Sequence, residues 1–266
     1  MNGTTSKGVG ALTVVLSVIG GVALLGTGAG AAWAGAHSVG PRSGELQESV
    51  AGVTALDVEV SGAEMEVEFA DVAEAELRVE GGSPGGWSLR RDGDELEVRG
   101  PQNRFDWFRP DWLRGDQRAT LVLPLELEGL DGELTLDAGE LTVEGDFDVL
   151  NVEVNAGSLE IEGEARMLEA ELNAGRADIA LSGVDEAGYT VSAGRIVSTL
   201  HTAPSSVTIA VMAGALDLSL PDEGYDLRQQ LSAGSLDNGL TQRSSSDRRI
   251  VAEVEAGSVN LRPIRD

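Results

Sequence analysis

The chain has 266 residues and no cysteine, and its 45 acidic residues against 19 basic ones give a formal net charge of −26. This charge argues against nucleic-acid binding, which relies on Lys and Arg, and against adsorption to anionic lipid. The absence of cysteine excludes disulfide frameworks, thiol catalysis and cysteine metal sites. Hydrophobic residues make up 41% of the chain but aromatic residues only 4%, which predicts an extended domain with an aliphatic core.

The N-terminal segment is apolar and uncharged over residues 9–36, after a short polar start at residues 1–8. A transmembrane helix needs about 20 apolar residues, which this segment supplies. We therefore predict a single-pass transmembrane helix at 9–36. Because Lys7 precedes it, residues 1–8 are expected in the cytoplasm and the rest of the chain outside the cell. The alternative is a signal peptide with Ala34-Gly35-Ala36 as its cleavage pattern, which would give a secreted protein.

Residues 37–49 contain Gly, Pro and Ser with few apolar residues, and they predict a stalk before a β-repeat domain at residues 50–266. Apolar and polar residues then alternate over Ala55–Phe69, which is typical of a half-buried strand. A bend is expected within that stretch at Ser61-Gly62-Ala63. Further on, Asp92-Gly93 predicts the turn of a β-hairpin between two short strands.

An aromatic and basic insertion at residues 100–117 interrupts this pattern, and it holds two of the four Trp and two of the four Phe. Aromatic and Arg side chains dominate binding hot spots, and Trp also favours membrane interfaces. The insertion is thus the candidate contact with a partner or a membrane. The alternative is a cap over an open end of the repeats. The candidate residues are Trp107, Phe108, Trp112, Arg104, Arg109 and Arg114.

Seven Ala-Gly pairs follow at steps of 18, 18, 19, 20, 20 and 23 residues, beginning at Ala138, Ala156, Ala174, Ala193, Ala213, Ala233 and Ala256. Alternating residues on both sides predict strands, and Gly permits a sharp bend and close stacking. The short polar residues before most pairs, such as Asn155, are expected to bond the turn backbone. This period predicts an all-β fold, a single-stranded β-solenoid of about seven or more coils. An antiparallel meander with Ala-Gly hairpin turns is the alternative.

The stretch Ala119–Leu141, in which a strand ends at Pro124 before the first Ala-Gly bend, resembles a bacterial family of β-strand-repeat proteins of unknown function. The family is called putative adhesins or toast-rack, and the resemblance extends over roughly Leu56–Leu261. It includes the order of membrane segment, stalk, first strands, Trp-containing insertion and repeats. It implies an envelope-associated β-solenoid, sometimes linked to envelope-stress systems, with no catalytic residues. Ala-Gly here stands where many members have Ser-Gly or Gly-Asp.

An acidic ladder is predicted at the third residue after each repeat Gly, since a parallel stack would place these residues on one outer face. Adjacent carboxylates repel, and a divalent cation or a neighbouring Arg could relieve the repulsion. A solvated polar face is the favoured interpretation. Paired glycosidase carboxylates are disfavoured because no aromatic platform accompanies them. The positions are Thr142, Glu160, Asp178, Val197, Asp217, Asp237 and Asn260.

The sequence predicts no catalytic, cofactor-binding or metal-ligating residue. His37 and His201 each stand alone, and neither a nucleophile elbow nor a phosphate-binding loop is found. We expect a non-catalytic binding or scaffold module at the cell envelope, acting in adhesion or envelope-stress sensing. Its partners would be the membrane, through the N-terminal helix, and an envelope component or a protein, but not nucleic acid. A polysaccharide-acting β-helix enzyme and a homotypic structural protein are the alternatives.

Overall fold

The computed structural model describes residues 44–81, 86–101 and 117–264. Two predicted features therefore lie outside the described residues: the N-terminal segment at 1–36 with the first part of the stalk, and all six candidate contact residues of the insertion. Within the described ranges the protein is all-β. In chain order its strands are β1 Gly44–Glu48, β2 Ala55–Ala70, β3 Ala75–Glu80, β4 Ser88–Asp92, β5 Glu95–Arg99, β6 Arg118–Pro124, β7 Leu130–Val154, β8 Ser158–Leu172, β9 Arg176–Ser182, β10 Glu186–Val191, β11 Arg195–Leu200, β12 Ser206–Val211, β13 Ala215–Leu220, β14 Asp226–Leu231, β15 Ser235–Asn238, β16 Arg249–Val254 and β17 Ser258–Pro263, with one 3-10 turn at Leu125–Leu127.

The prediction of a stalk at residues 37–49 is wrong for its described part. Gly44–Glu48 forms β1, which pairs antiparallel with β3 in a register that joins Leu46 to Leu77. The physical reason is the single apolar residue at the centre of an alternating segment, because Leu46 packs against the core while Glu45 and Gln47 on either side are exposed. The β-domain thus begins at least six residues earlier than predicted.

Each Ala-Gly bend joins a strand of a first stack, which includes β10, β12, β14 and β16, to a strand of a second stack, which includes β11, β13, β15 and β17. We call the two strands with their bend a layer. Successive repeats pair in parallel: Leu141 lies beside Leu159, and Leu159 beside Ala177. This parallel register differs from the antiparallel pairing that a meander requires. Three strands are long because they run through one or more bends, as β2 does at Ser61–Ala63. The predicted hairpin at Asp92-Gly93 is confirmed by the antiparallel pair β4 and β5.

The layers do not stack in chain order at the C-terminal end. Strand β12 pairs with β16, and β16 pairs with β14; likewise β13 pairs with β17, and β17 with β15. The last layer of the chain, β16–β17, therefore lies between β12–β13 and β14–β15. Between β13 and β14 the chain skips one layer position. The ten residues from Gly239 to Arg248 then return the chain to that position, where it forms β16–β17. The β14–β15 layer, which we call the terminal layer, ends the described stack.

The core consists of columns of aliphatic side chains, one from each layer. One column runs from Leu141 and Leu159 through Ile196 and Leu216 to Val259, and each of these side chains is at most 1% exposed. Full burial of such a side chain contributes about 1.5–3 kcal/mol. Because every layer presents its apolar residues at the same register position, adding a layer extends each column. The repeated alternation in the sequence is thus sufficient to specify the core.

Candidate functional site

The insertion that holds the predicted contact residues is flanked by two described residues, Pro101 and Gln117. Pro101 is buried, Gln117 is half-buried, and the nearby Trp87 is only 5% exposed. The Trp87 ring lies against Gly100, where an added Cβ would come within 3.5 Å of it. The insertion therefore leaves the fold from a packed base on the first strands, at the end of the stack opposite the terminal layer.

The predicted acidic ladder is confirmed as a single column on the outer face of the second stack. Parallel registers place Thr142 beside Glu160, Glu160 beside Asp178, and Asp217 beside Asn260. Towards the terminal layer its carboxylates have partners: Arg195 pairs with Asp217, and Asn260 Nδ2 donates to Asp217 Oδ1 over 2.6 Å. Among the residues that the structure describes, no group of three or more His, Asp or Glu side chains is arranged to hold a metal ion.

The charge of the outer faces changes along the stack. Strand β2 carries five carboxylates and β7 carries eight, and neither has a basic residue. Strand β12 carries no charged residue, and β14 carries one Asp and one Arg. The layers nearest the insertion thus present a strongly negative surface, whereas the terminal layer is nearly neutral. The first surface repels anions and attracts cations, and the second does neither.

Arg99 is the cation at the centre of this negative surface. Its Nη1 and Nη2 donate to the two carboxylate oxygens of Asp57, both over 2.5 Å, and its Nε lies 3.4 Å from Glu59. The hydrogen bond to Asp57 raises the pKa of Arg99. Burial, and then the neighbouring carboxylates of Asp57, Glu97 and Glu133, raise the pKa of Glu95. Arg99 therefore offsets repulsion among carboxylates that adjacent strands bring together.

Replacing Arg99 by Gln should lower the free energy of unfolding by about 1–2 kcal/mol at pH 7, because it leaves the half-buried Asp57 unpaired among like charges. Glu95, whose pKa is raised by burial and by Asp57 of this pair, adds a pH dependence of its own in the range just above 4.5, the ordinary pKa of a glutamate. A carboxyl such as Glu95, whose pKa is raised in the folded state, holds its proton in the fold where the unfolded chain has released it. Its contribution to stability therefore decreases as the pH rises through that window. Urea unfolding at several pH values measures this effect.

The control for this prediction is Arg118→Gln. Arg118 makes an equally bidentate pair with Glu64, at 2.9 and 2.7 Å, but both side chains are largely exposed. Exposed pairs contribute about 0–1 kcal/mol, so its loss should be small. Equal losses in the two variants at every pH would refute a special role for Arg99.

A ladder of polar side chains follows the bends. Ser61 Oγ donates to Asp137 Oδ2 over 2.8 Å, and Asn155 Nδ2 donates to Asp137 Oδ1 over 3.2 Å. Asn173 then donates to Asn155 over 3.0 Å, and Ser192 to Asn173 over 3.2 Å. The sequence predicted local bonds to the turn backbone, but these side chains bond the equivalent residue of the next layer. Their shared position relative to Ala-Gly was the signal that could have indicated this arrangement.

A shallow depression of ≈ 760 Å³ lies on the outer face of the second stack near the terminal layer. It forms beside Asn238, where β15 ends while its neighbour β17 continues to Pro263. His201 contributes to its wall from the exposed turn after β11. Its remaining polar lining is Thr199, Ser219, Asp237 and Arg262. The depression can hold a small polar group, but its mixed charge favours no particular ligand class.

Comparison with known proteins is limited to structures, since no family model and no curated protein matches the chain. A protein from Parabacteroides distasonis described as a putative lipid binding protein has a TM-score of 0.49 and 11% identity, with 84% of this chain and 97% of that chain covered. A putative adhesin from Bacteroides fragilis has a TM-score of 0.45 and 12% identity over 83% and 97%. A putative cell adhesion protein from Clostridium sporogenes has a TM-score of 0.39 and 10% identity over 84% and 100%. The adhesin name agrees with the family resemblance in the sequence.

The described part of the chain contains no helix that is both long and apolar enough to cross a membrane.

Proposed function

We propose that the chain is a non-catalytic binding module of the cell envelope, built on a β-solenoid scaffold and acting in adhesion or envelope-stress sensing. The observation that supports this function best is the arrangement of polar side chains in columns along the stack. The acidic column and the Ser61–Ser192 ladder repeat one position from layer to layer. A catalytic centre needs different groups converging on one point, whereas such columns suit extended contact.

The contact site of this proposed module is the aromatic insertion. Large exposed apolar side chains are scarce on the described surface, where they are Leu125, Met212 and Leu231. The insertion supplies what that surface lacks, namely Trp107, Phe108 and Trp112 interleaved with arginines. Because it leaves the fold beside the most acidic layers, its partner would be a neutral or cationic envelope component or protein. Anionic lipid would be repelled there.

The N-terminal segment at 9–36 gives the module its place in this proposal. As a retained transmembrane helix it would anchor the β-domain outside the cell, and as a cleaved signal it would release that domain. Its uncharged length favours the anchor.

Residues 44–266 should co-sediment with purified peptidoglycan or with phosphatidylcholine vesicles, and not with phosphatidylglycerol vesicles. The double substitution Trp107→Ala and Trp112→Ala should weaken that binding by about tenfold or more, since hot-spot aromatics carry most of the affinity of an interface. Met212→Ala, which removes an exposed apolar side chain in another layer, is the matched control. Failure to bind either probe, or an equal loss with Met212→Ala, would contradict the proposed contact site.

A further inference from the structure

The terminal layer leaves one strand edge of the first stack unpaired among the described residues. Strand β14 bonds to its neighbour through even-numbered residues: the Asp226 amide donates to the Arg248 carbonyl over 2.8 Å, and the Ser232 amide to the Val254 carbonyl over 3.0 Å. The backbone groups of Leu227, Gln229 and Leu231 therefore point outward. Free strand edges of this kind are templates for pairing with another chain.

A short loop segment covers only the beginning of this edge. The Tyr225 amide donates to the Thr241 carbonyl over 3.0 Å, and the Arg243 amide donates back to Tyr225 over 2.8 Å. Beyond that point the contact is a single side-chain bond of 3.3 Å from Gln242 Nε2 to the Leu227 carbonyl. Gln229 and Leu231 have no strand beside them within residues 44–81, 86–101 and 117–264.

The terminal layer also exposes the ends of two core columns. In the adjacent layer the corresponding side chains, Ile250 and Val254, are 0% exposed. In the terminal layer Leu227 is half-buried and Leu231 is 40% exposed. These leucines have the positions and orientation of core residues, but no further described layer covers them. An additional strand on this edge would complete both columns.

We propose that a second copy of this chain covers this edge, through antiparallel pairing of β14 with β14 about a two-fold axis at Gln229. At this edge only the odd-numbered residues direct their backbone N–H and C=O groups outward. Each odd-numbered residue must therefore pair with an odd-numbered residue of the second copy. With Gln229 opposite itself, Leu227 lies opposite Leu231 of the second copy, and Arg228 lies opposite Gln230. Apolar residues meet apolar ones, and no like charges are opposed. The interface is isologous, as two-fold contacts are.

The bend after β14 makes this register compatible with the loop. In this register the residues after β14 of the second copy would come opposite Tyr225, to which the loop segment is bonded. They do not collide with that segment, because the second copy's chain bends away at Ser232–Gly234. The contact at Leu227, a single 3.3 Å bond from Gln242, is all that must be displaced.

Charge favours a second copy at this edge over contact elsewhere in the stack. Two copies that met through their β2 or β7 layers would bring together strands with five or eight carboxylates and no cation. The terminal strand has one Asp and one Arg, which pair with each other at 3.0 Å, and four uncharged residues. Its net charge of zero is the smallest among these edges, since β1 carries two glutamates, β4 carries two arginines and one aspartate, and β15 carries one aspartate.

The first test is sedimentation velocity of the full chain in detergent, comparing Gln229→Glu with Gln230→Glu. The first substitution places two carboxylates opposite each other at the axis, and should weaken self-association by at least about fivefold. The second places a carboxylate opposite Arg228 and should leave association unchanged or stronger. Association of the unaltered chain in the micromolar range is expected. A monomer up to about 100 µM, or equal effects of the two substitutions, would overturn the proposal.

The second test uses the absence of cysteine from the chain. Directly opposed residues of an antiparallel pair have Cα atoms about 5.5 Å apart, within the range of a disulfide. Gln229→Cys should therefore form a disulfide-linked dimer under mild oxidation. Gln230→Cys, equally exposed on the same strand, would lie too far from its own copy and should not. Equal cross-linking of both variants would indicate random collision and overturn the proposed axis.

Discussion

Replacing Gly157 by Ala should lower the free energy of unfolding by about 3 kcal/mol or more, a large effect for a single methyl group. Two causes combine at this position. The backbone has φ +118°, which side chains other than hydrogen rarely tolerate. In addition, the new Cβ would lie 2.3 Å from the carbonyl oxygen of Gly139 in the adjacent layer. That oxygen belongs to the backbone of a paired strand, so it cannot move without disturbing the next bend.

The matched control is Gly93→Ala in the hairpin turn between β4 and β5. Gly93 also has a positive φ, +68°, but an added Cβ there would have nothing within 4 Å. Only the backbone strain applies, and the loss should be about 1 kcal/mol. Urea unfolding followed by circular dichroism measures both variants. If Gly93→Ala cost as much as Gly157→Ala, close stacking of the bends would not be the reason for glycine in the repeat.

The sequence was sufficient to predict the layers because the information is local. Alternation around each Ala-Gly pair predicted the strands, and the constant distance from Gly to the acidic residues predicted their column. The order of the layers at the C-terminal end was not predictable in this way. Repeats such as those at Ala213 and Ala256 are nearly equivalent in sequence, so either can pair with a neighbour. Their order is decided by the connections, of which Gly239–Arg248 is long enough to cross a layer.

The candidate contact surfaces were predictable only in part. Composition identified the insertion, and its residues Trp107, Phe108 and Trp112 stay a prediction. The edge of the terminal layer was not predicted: Leu227 and Leu231 occupy the positions of apolar residues in buried strands, and only Gln229, beside Ala252 of β16, departs from that pattern. The difference lies in which layer ends the stack, and that depends on the pairing of β16 with both β12 and β14. Arg99 was likewise missed, since its carboxylate partner Asp57 is distant in sequence.

The hydroxyls of Tyr189 and Ser198 should be coupled in stability, because they bond each other in the core over 2.7 Å and are at most 1% exposed. Burial raises the pKa of Tyr189, so its hydroxyl keeps its proton. In the layers on either side, aliphatic residues occupy the equivalent positions. Ser198 lies in register with Ile179 and Leu218, and Tyr189 lies in register with Ala170 and Ile209. A larger side chain from the first stack thus meets a smaller one from the second.

Tyr189→Phe and Ser198→Ala should each lower the free energy of unfolding by about 1–3 kcal/mol, since each leaves a buried hydroxyl without its partner. The double variant removes both hydroxyls and leaves no unsatisfied group, so its loss should be clearly smaller than the sum of the single losses. Urea unfolding of the four proteins gives the coupling free energy, which should reach about 1–2 kcal/mol. Strict additivity would mean that the two hydroxyls do not depend on each other. Because neither change alters the volume of the core by more than an oxygen atom, such a result could not be attributed to cavity formation.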